Sequence, residues 1–276
     1  MTHQRHELTP GVYRMTNEEY HAAPGVNKST LEMVLDDPAS IQWMQGCPID
    51  IEKLKTLDFG SACHTAILEP DLFDSLYAVE PSVNKRTTIG KQGIEDFHAI
   101  NGHKTIITHD DLKKINFMAG SALAHPLVKS LIDNKVGAEV STFALDPNTG
   151  LILKSRNDLE SDINGMKIIA DLKTIDDLKN IPRAVHEYRY HFQEHHYKKV
   201  YEFYHGVLPD AFLFIFMSKT ISLGRYPVQV VELDLEAKQF GEVLWQEAIS
   251  KYVKCKNQNN WPGIRRVFLP SWAFKN

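Results

Sequence analysis

Cysteine is scarce in this chain of 276 residues, and basic side chains are outnumbered by acidic ones, 31 to 35. The three cysteines, Cys47, Cys63 and Cys255, stand far apart with no CxxC pair, which excludes a disulfide framework and leaves too few thiolates for an iron–sulfur cluster of about four ligands. A reducing, cytoplasmic setting is therefore expected. No apolar run approaches the roughly 18 residues of a membrane helix, and the opening M-T-H-Q-R-H-E-L lacks a signal-peptide apolar region; a soluble, unexported protein with no membrane partner is expected. A net charge of -4 gives no global basic footprint, so any nucleic-acid binding has to come from local patches. The Walker A pattern is missing, which argues against ATP use. No helix-turn-helix or zinc-finger signature is present to read bases. Zinc-protease spacing fails too: His186-Glu187 is followed by His191, five residues on rather than four, and His191 is followed by Phe192 rather than glutamate.

With 43% hydrophobic and 24% charged residues, the chain can bury a substantial core. The expectation is one domain over residues 1–276, helical over about 10–135 and with an α/β core over about 136–276. Asn27 or Ser29 caps a helix broken at Pro38, and L-D-F-G-S-A-C-H-T-A-I-L forms a helix that ends before Pro70. Residues 82–104, rich in Gly, Thr, Asn and Lys, read as an exposed connection, and 110–134 return to helical spacing. E-V-S-T-F-A-L, the turn D-P-N-T-G and L-I-L-K-S-R-N-D-L then predict a β-hairpin. M-K-I-I-A-D-L-K-T adds a third strand, a helix runs from about Pro182 to Gly206, strands follow at A-F-L-F-I-F-M-S and Y-P-V-Q-V-V-E-L, and a last helix spans about 235–254. The fold class is α/β, a mixed central sheet flanked by helices.

The third strand carries the chemistry. Alternation places Asp171 and Lys173 on one face, and Asp158 lies on the preceding strand. Two carboxylates beside one ammonium repel unless a cation neutralises them. Mg²⁺ suits a site of few carboxylates completed by water and phosphate oxygens, with Mn²⁺ as a substitute. Lys173 would then orient or deprotonate a water, or stabilise charge developing on phosphorus. An isolated D-x-K is ordinarily a surface salt bridge, and the histidines at 191, 195 and 196 are ordinarily a DNA-facing or solvated helix surface.

G-S-A-C-H-T-A-I-L-E-P, S-R-N-D, A-D-L-K-T and H-F-Q-E-H-H-Y, in this order and spacing, resemble the exonuclease domain of the RecE (exonuclease VIII) family, in the RecB-like branch of the PD-(D/E)xK nucleases. The likeness runs from G-V-Y-R-M-T-N-E-E-Y-H to L-P-S-W-A, nearly the whole chain. It implies a restriction-endonuclease-like core in which His64, Asp158, Asp171 and the main-chain carbonyl of Leu172 hold the metal. Lys173 is implied as the catalytic lysine, with Gln193 and Tyr197 of a Q-x-x-x-Y element on one helical face. The position often written Pro-Asp is Asn157-Asp158 here; the proline is not a ligand. Small residues ahead of His64 would let its helix approach the sheet closely. Arg156 is placed to contact phosphate, and Glu139, opening the hairpin, is either an extra ligand or a paired strand-end acid.

The resemblance further implies digestion of the 5′-ended strand of duplex DNA, leaving 3′ tails for a RecT-type annealing protein, by a ring-shaped homo-oligomer, a tetramer. Lys28, Lys85, Arg86 and Arg156 are the DNA-binding candidates, and Lys251, Lys254, Lys256, Arg265 and Arg266 around Trp261 form a further basic stretch. A PD-(D/E)xK endonuclease and a non-catalytic DNA-binding module on the same fold are the alternatives.

Overall fold

The computed structural model describes residues 9–44, 47–48, 51–264, 266–269 and 271–274, with the backbone alone for 51–58 and 271–272. Arg265 of the basic stretch lies outside the described residues. Strand β1 (Gly11–Tyr13) is followed by helices α1 (Asn17–Ala22), α2 (Lys28–Asp36), α3 (Ser40–Met44), α4 (Ile51–Leu68) and α5 (Phe73–Leu76). Then come β2 (Tyr77–Val79), α6 (Thr88–Asn101), β3 (Thr105–Ile107), α7 (His109–Ala124) and α8 (Pro126–Asp133). The α/β core comprises β4 (Lys135–Leu145), β5 (Ile152–Ile163), β6 (Met166–Ile175), α9 (Ile181–Glu187), α10 (Tyr190–His205), β7 (Ala211–Ser218), β8 (Val228–Val231) and α11 (Leu235–Gln258).

Six strands form one mixed sheet in the order β1-β4-β5-β6-β7-β8, in which only β6 and β7 run parallel. That parallel pair is what the crossover through α9 and α10 produces. On one face Leu159, Ala170, Leu172 and Ile215 pack against Cys63, Ile115, Met118 and Leu131 of α4, α7 and α8. On the other, Ile169, Phe212, Phe214 and Phe216 pack with Ile181 and Tyr201 of α9 and α10, and Leu153 packs with Phe192, Val200 and Trp245 of α10 and α11. Complete burial of each of these phenylalanines stabilises by roughly 2–3 kcal/mol.

Several boundaries differ from the sequence reading. Residues 88–101, read as part of a connection, form α6, capped by the Thr87 hydroxyl accepting from Gly90 N. Gly90 reads as a breaker, yet its job is steric: a Cβ there would stand 2.0 Å from the Asn84 carbonyl oxygen. The helix expected over 182–206 is two helices, because Arg189 takes a left-handed φ of 51° between them while its guanidinium pairs with Asp36. His125-Pro126 likewise divides α7 from α8, with the proline at the first turn of the new helix. The edge strand β1 and the small parallel β2–β3 sheet, three residues per strand, are too short for an alternation signal.

Candidate active site

The β5–β6 ladder runs from the Ile163↔Met166 end of the hairpin and stops at Leu159↔Ala170. Beyond that point β5 stays with β4 and β6 stays with β7 as far as Ile175↔Ser218. The sheet therefore forks, and Asp158 and Asp171 are the first residues past the last paired rung. Asp158 fills the gap with its side chain: Oδ2 accepts from Leu172 N at 2.8 Å, taking a donor the broken ladder would leave free.

Alternation delivers Asp171 and Lys173 to one face, as the sequence implies. Lys173 Nζ lies 2.6 Å from Asp171 Oδ2 and 4.9 Å from the centre of the Tyr190 ring. Asp171 is 2% exposed, and apart from that ion pair its Oδ2 has no hydrogen-bond partner. Its other oxygen accepts from Gln193 Nε2 at 2.6 Å. Gln193 and Tyr197 face this side of the sheet from α10; Tyr197 packs edge-on to Phe212. Tyr190, the platform beneath Lys173, escaped the sequence reading, although it stands three residues before Gln193 and so on the same helical face.

His64 arrives from the opposite face on α4. Its Nε2 is 3.1 Å from the Leu172 carbonyl oxygen, and its Nδ1 is 3.5 Å from Asp158 Oδ2 and 3.7 Å from Glu139 Oε1. The close approach depends on Ala62 and Cys63, both fully buried, rather than on Gly60, where a Cβ would meet nothing within 4 Å. Glu139 falls between the Ala138↔Leu159 and Val140↔Asn157 rungs, hence opposite Asp158. It holds a left-handed φ of 51°, next to an irregularity in β4 between Lys135 and Gly137, a distortion that re-aims a strand side chain.

The charges interact strongly. Burial and the neighbouring Asp171 push the Asp158 carboxyl up to about 7. Burial alone would lower the His64 pKa, but Asp158 and Glu139 overcome it and raise the imidazole to about 9. Burial also works against the Lys173 ammonium, and Asp171 and Asp158 outweigh it, holding its pKa above the ordinary lysine value. His64, Glu139 and Asp158 offer ligand atoms within 4.8 Å of one another. One imidazole and two carboxylates, beside a second buried carboxylate at Asp171, make a donor set that fits a divalent cation.

Of the DNA-binding candidates, Lys28 sits at the start of α2, paired with Glu32 at 3.0 Å and donating to the Tyr188 carbonyl at 3.2 Å. It is close enough to Lys173 and Asp171 to feel both charges. Arg156 is turned inward: Nε donates to Glu139 Oε2 at 2.8 Å, and Nη1 donates to Met15 O and Ser141 Oγ. Lys85 is paired with Glu80 and Arg86 is exposed ahead of α6. In the basic stretch, Lys251 caps the Leu35 carbonyl and Trp261 packs edge-on to Tyr252. The histidines expected on a DNA-facing or solvated surface are instead packed inside: His191 against Phe240, His195 against Trp245, and His196 fully buried between Trp245 Nε1 and the Lys154 carbonyl. A cavity of about 300 Å³ between α10 and α11, lined by His191, Glu194 and His195 among others, opens on a different face of α10 from Gln193.

A mixed sheet forking at two buried carboxylates, with a lysine two residues beyond the second, is the core of the PD-(D/E)xK nuclease fold. The chain belongs to the family described as PDDEXK-like domain of unknown function (DUF3799), whose pattern matches residues 39–264. Among solved structures it is similar to one described as a "Putative exonuclease" from Eubacterium rectale, with a TM-score of 0.57 and 12% identity over 94% of this chain and 96% of that one. At that identity the likeness is one of fold. No curated protein matches the chain.

Proposed function

We propose that this chain is a divalent-metal-dependent, ATP-independent exodeoxyribonuclease that digests the 5′-ended strand of duplex DNA and leaves 3′ single-stranded tails. The observation that carries the reading is the buried pair Asp158 and Asp171 at the sheet fork, with Lys173 2.6 Å from Asp171. Burial of two acids so close together is costly in a merely structural role and suits a site completed by a cation and a phosphodiester. Mg²⁺, or Mn²⁺ in its place, would polarise the scissile phosphate and lower the pKa of a bound water.

The chain's own groups divide the remaining work. Gln193 fixes the carboxylate of Asp171, and Tyr190 supports Lys173 from below. The ammonium of Lys173 orients the attacking water and offsets charge developing at phosphorus. Lys28, buried beside this cluster, is the favoured group for the 5′-phosphate, ahead of Lys85 and Arg86. Arg156 serves the reaction through Glu139 rather than through DNA. The description of the Eubacterium rectale structure supports an exonuclease over an endonuclease. The resemblance to RecE extends the proposal to a RecT-type annealing partner and a ring-shaped homotetramer, which would keep an acidic protein on DNA by topology.

Linear duplexes labelled at either end and a closed circle, incubated with Mg²⁺, test the reading. Loss of label from the 5′ end with the circle intact is expected. Cutting of the circle would identify an endonuclease, and no cutting of either, with or without Mg²⁺ or Mn²⁺, would leave a DNA-binding module.

A further inference from the structure

We infer that Glu139 is a direct metal ligand, forming with His64 Nδ1 and Asp158 a nitrogen–oxygen–oxygen triad that binds Mn²⁺ more tightly than Mg²⁺, and that Asp171 and the Leu172 carbonyl contribute less to holding the ion. The inference rests on the nuclease reading and assigns its ligands differently from the set the family resemblance implies. Four contacts lead to it. Glu139, His64 and Asp158 already present ligand atoms within 4.8 Å of one another. Asp171, by contrast, has each of its oxygens 2.6 Å from a protein nitrogen, Gln193 Nε2 and Lys173 Nζ. The Leu172 carbonyl is taken by His64 Nε2 at 3.1 Å, the arrangement by which a metal-bound histidine is oriented: the far nitrogen donates to a main-chain carbonyl and the near one keeps its lone pair for the ion. Arg156 holds Glu139 Oε2 at 2.8 Å, leaving Oε1 as the oxygen turned toward His64.

The backbone points the same way. A residue in the middle of a strand gains nothing for pairing from a φ of 51°, and a glutamate in that region is strained. Here the distortion aims the carboxylate of a strand residue at the histidine of a helix on the sheet's other face. The imidazole nitrogen sets the choice of ion, since Mg²⁺ prefers an all-oxygen shell and Mn²⁺ accepts a mixed one.

The test is a calorimetric titration of the full-length protein with MnCl₂ and with MgCl₂, without DNA. The variants are Glu139→Gln, Glu139→Asp and Asp171→Asn, each checked for folding by its melting midpoint. The wild type should bind Mn²⁺ more tightly than Mg²⁺. Glu139→Gln should weaken Mn²⁺ by at least about 10-fold, and by more than Asp171→Asn does. Glu139→Asp keeps the charge but shortens the reach, and should also weaken binding if Glu139→Gln does not fold. Wild-type Mn²⁺ affinity in a folded Glu139→Gln or Glu139→Asp protein, or a larger loss in Asp171→Asn, would overturn the triad while leaving the nuclease reading in place. Absence of any Mn²⁺ or Mg²⁺ binding by the wild type would overturn both.

Discussion

Gln193 Nε2 donates to Asp171 Oδ1 at 2.6 Å, joining the first turn of α10 to the second carboxylate of the sheet fork. Hydrogen bonds to charged groups contribute about 1.5–3 kcal/mol, and a buried carboxylate left without one bears its full desolvation cost. Gln193→Leu should therefore lower the melting midpoint by several degrees and reduce kcat more than KM. Gln193→Glu should be worse, since it sets a second carboxylate at the same distance. A Gln193→Leu protein with wild-type kcat would show that Asp171 needs no such anchor.

Lys173→Ala should leave Mn²⁺ binding within a few-fold of wild type and remove at least about 100-fold from the cleavage rate. Single-turnover cleavage alongside the metal titration separates the two effects. Equal loss of binding and rate would recast Lys173 as a structural partner of Asp171 rather than a participant in the chemistry.

The alternation in M-K-I-I-A-D-L-K-T made Asp171 and Lys173 legible from spacing alone, since both must fall on one strand face. Asp158 was legible as a neighbour on the preceding strand, but the fork was not: where a ladder stops depends on how two half-sheets twist apart. Glu139 was half-visible as a strand acid, and its direction was hidden in a left-handed backbone that no side-chain pattern reports. Tyr190 was hidden differently, because the break at Arg189 blurs where the helix carrying it begins.

Stability should fall as pH rises from about 4.5 to 7, through Glu194. This carboxyl is 2% exposed with neither oxygen hydrogen-bonded; Lys198 lies 3.8 Å away. Burial raises its pKa to about 7. The folded chain thus holds a proton that the unfolded chain has released across that interval, and the stability this contributes is complete below the unfolded value and lost on passing through the folded one. The effect is on the order of 2–3 kcal/mol. Glu194→Gln should flatten this part of the pH profile in urea titrations and raise stability at pH 7; an unchanged slope would exclude Glu194 as its source.

Gly241→Ala should destabilise the protein by about 1–3 kcal/mol. The added Cβ would stand 2.2 Å from the His191 carbonyl oxygen and 3.2 Å from Phe192 N, so α11 can lie on the first turn of α10 only with glycine there. Since that turn carries Tyr190 and Gln193, cleavage should slow along with the drop in melting midpoint. A thermal melt and an initial rate on the same preparation would check both.

His64 reaches Leu172 across 108 positions of chain, and the apolar faces of α4, α7 and α8 are covered by residues of β5, β6 and β7. During synthesis, the amino-terminal helices emerge with Ile115, Met118 and Leu131 still uncovered, and with no strand yet made to receive them. Nothing before β7 can complete the parallel pairing of β6, so no amino-terminal fragment holds a finished centre. The strand that supplies Asp171 and Lys173 is locked only when residues 211–218 have left the ribosome, so a truncated product carries all the acids of the site but no frame to hold them apart.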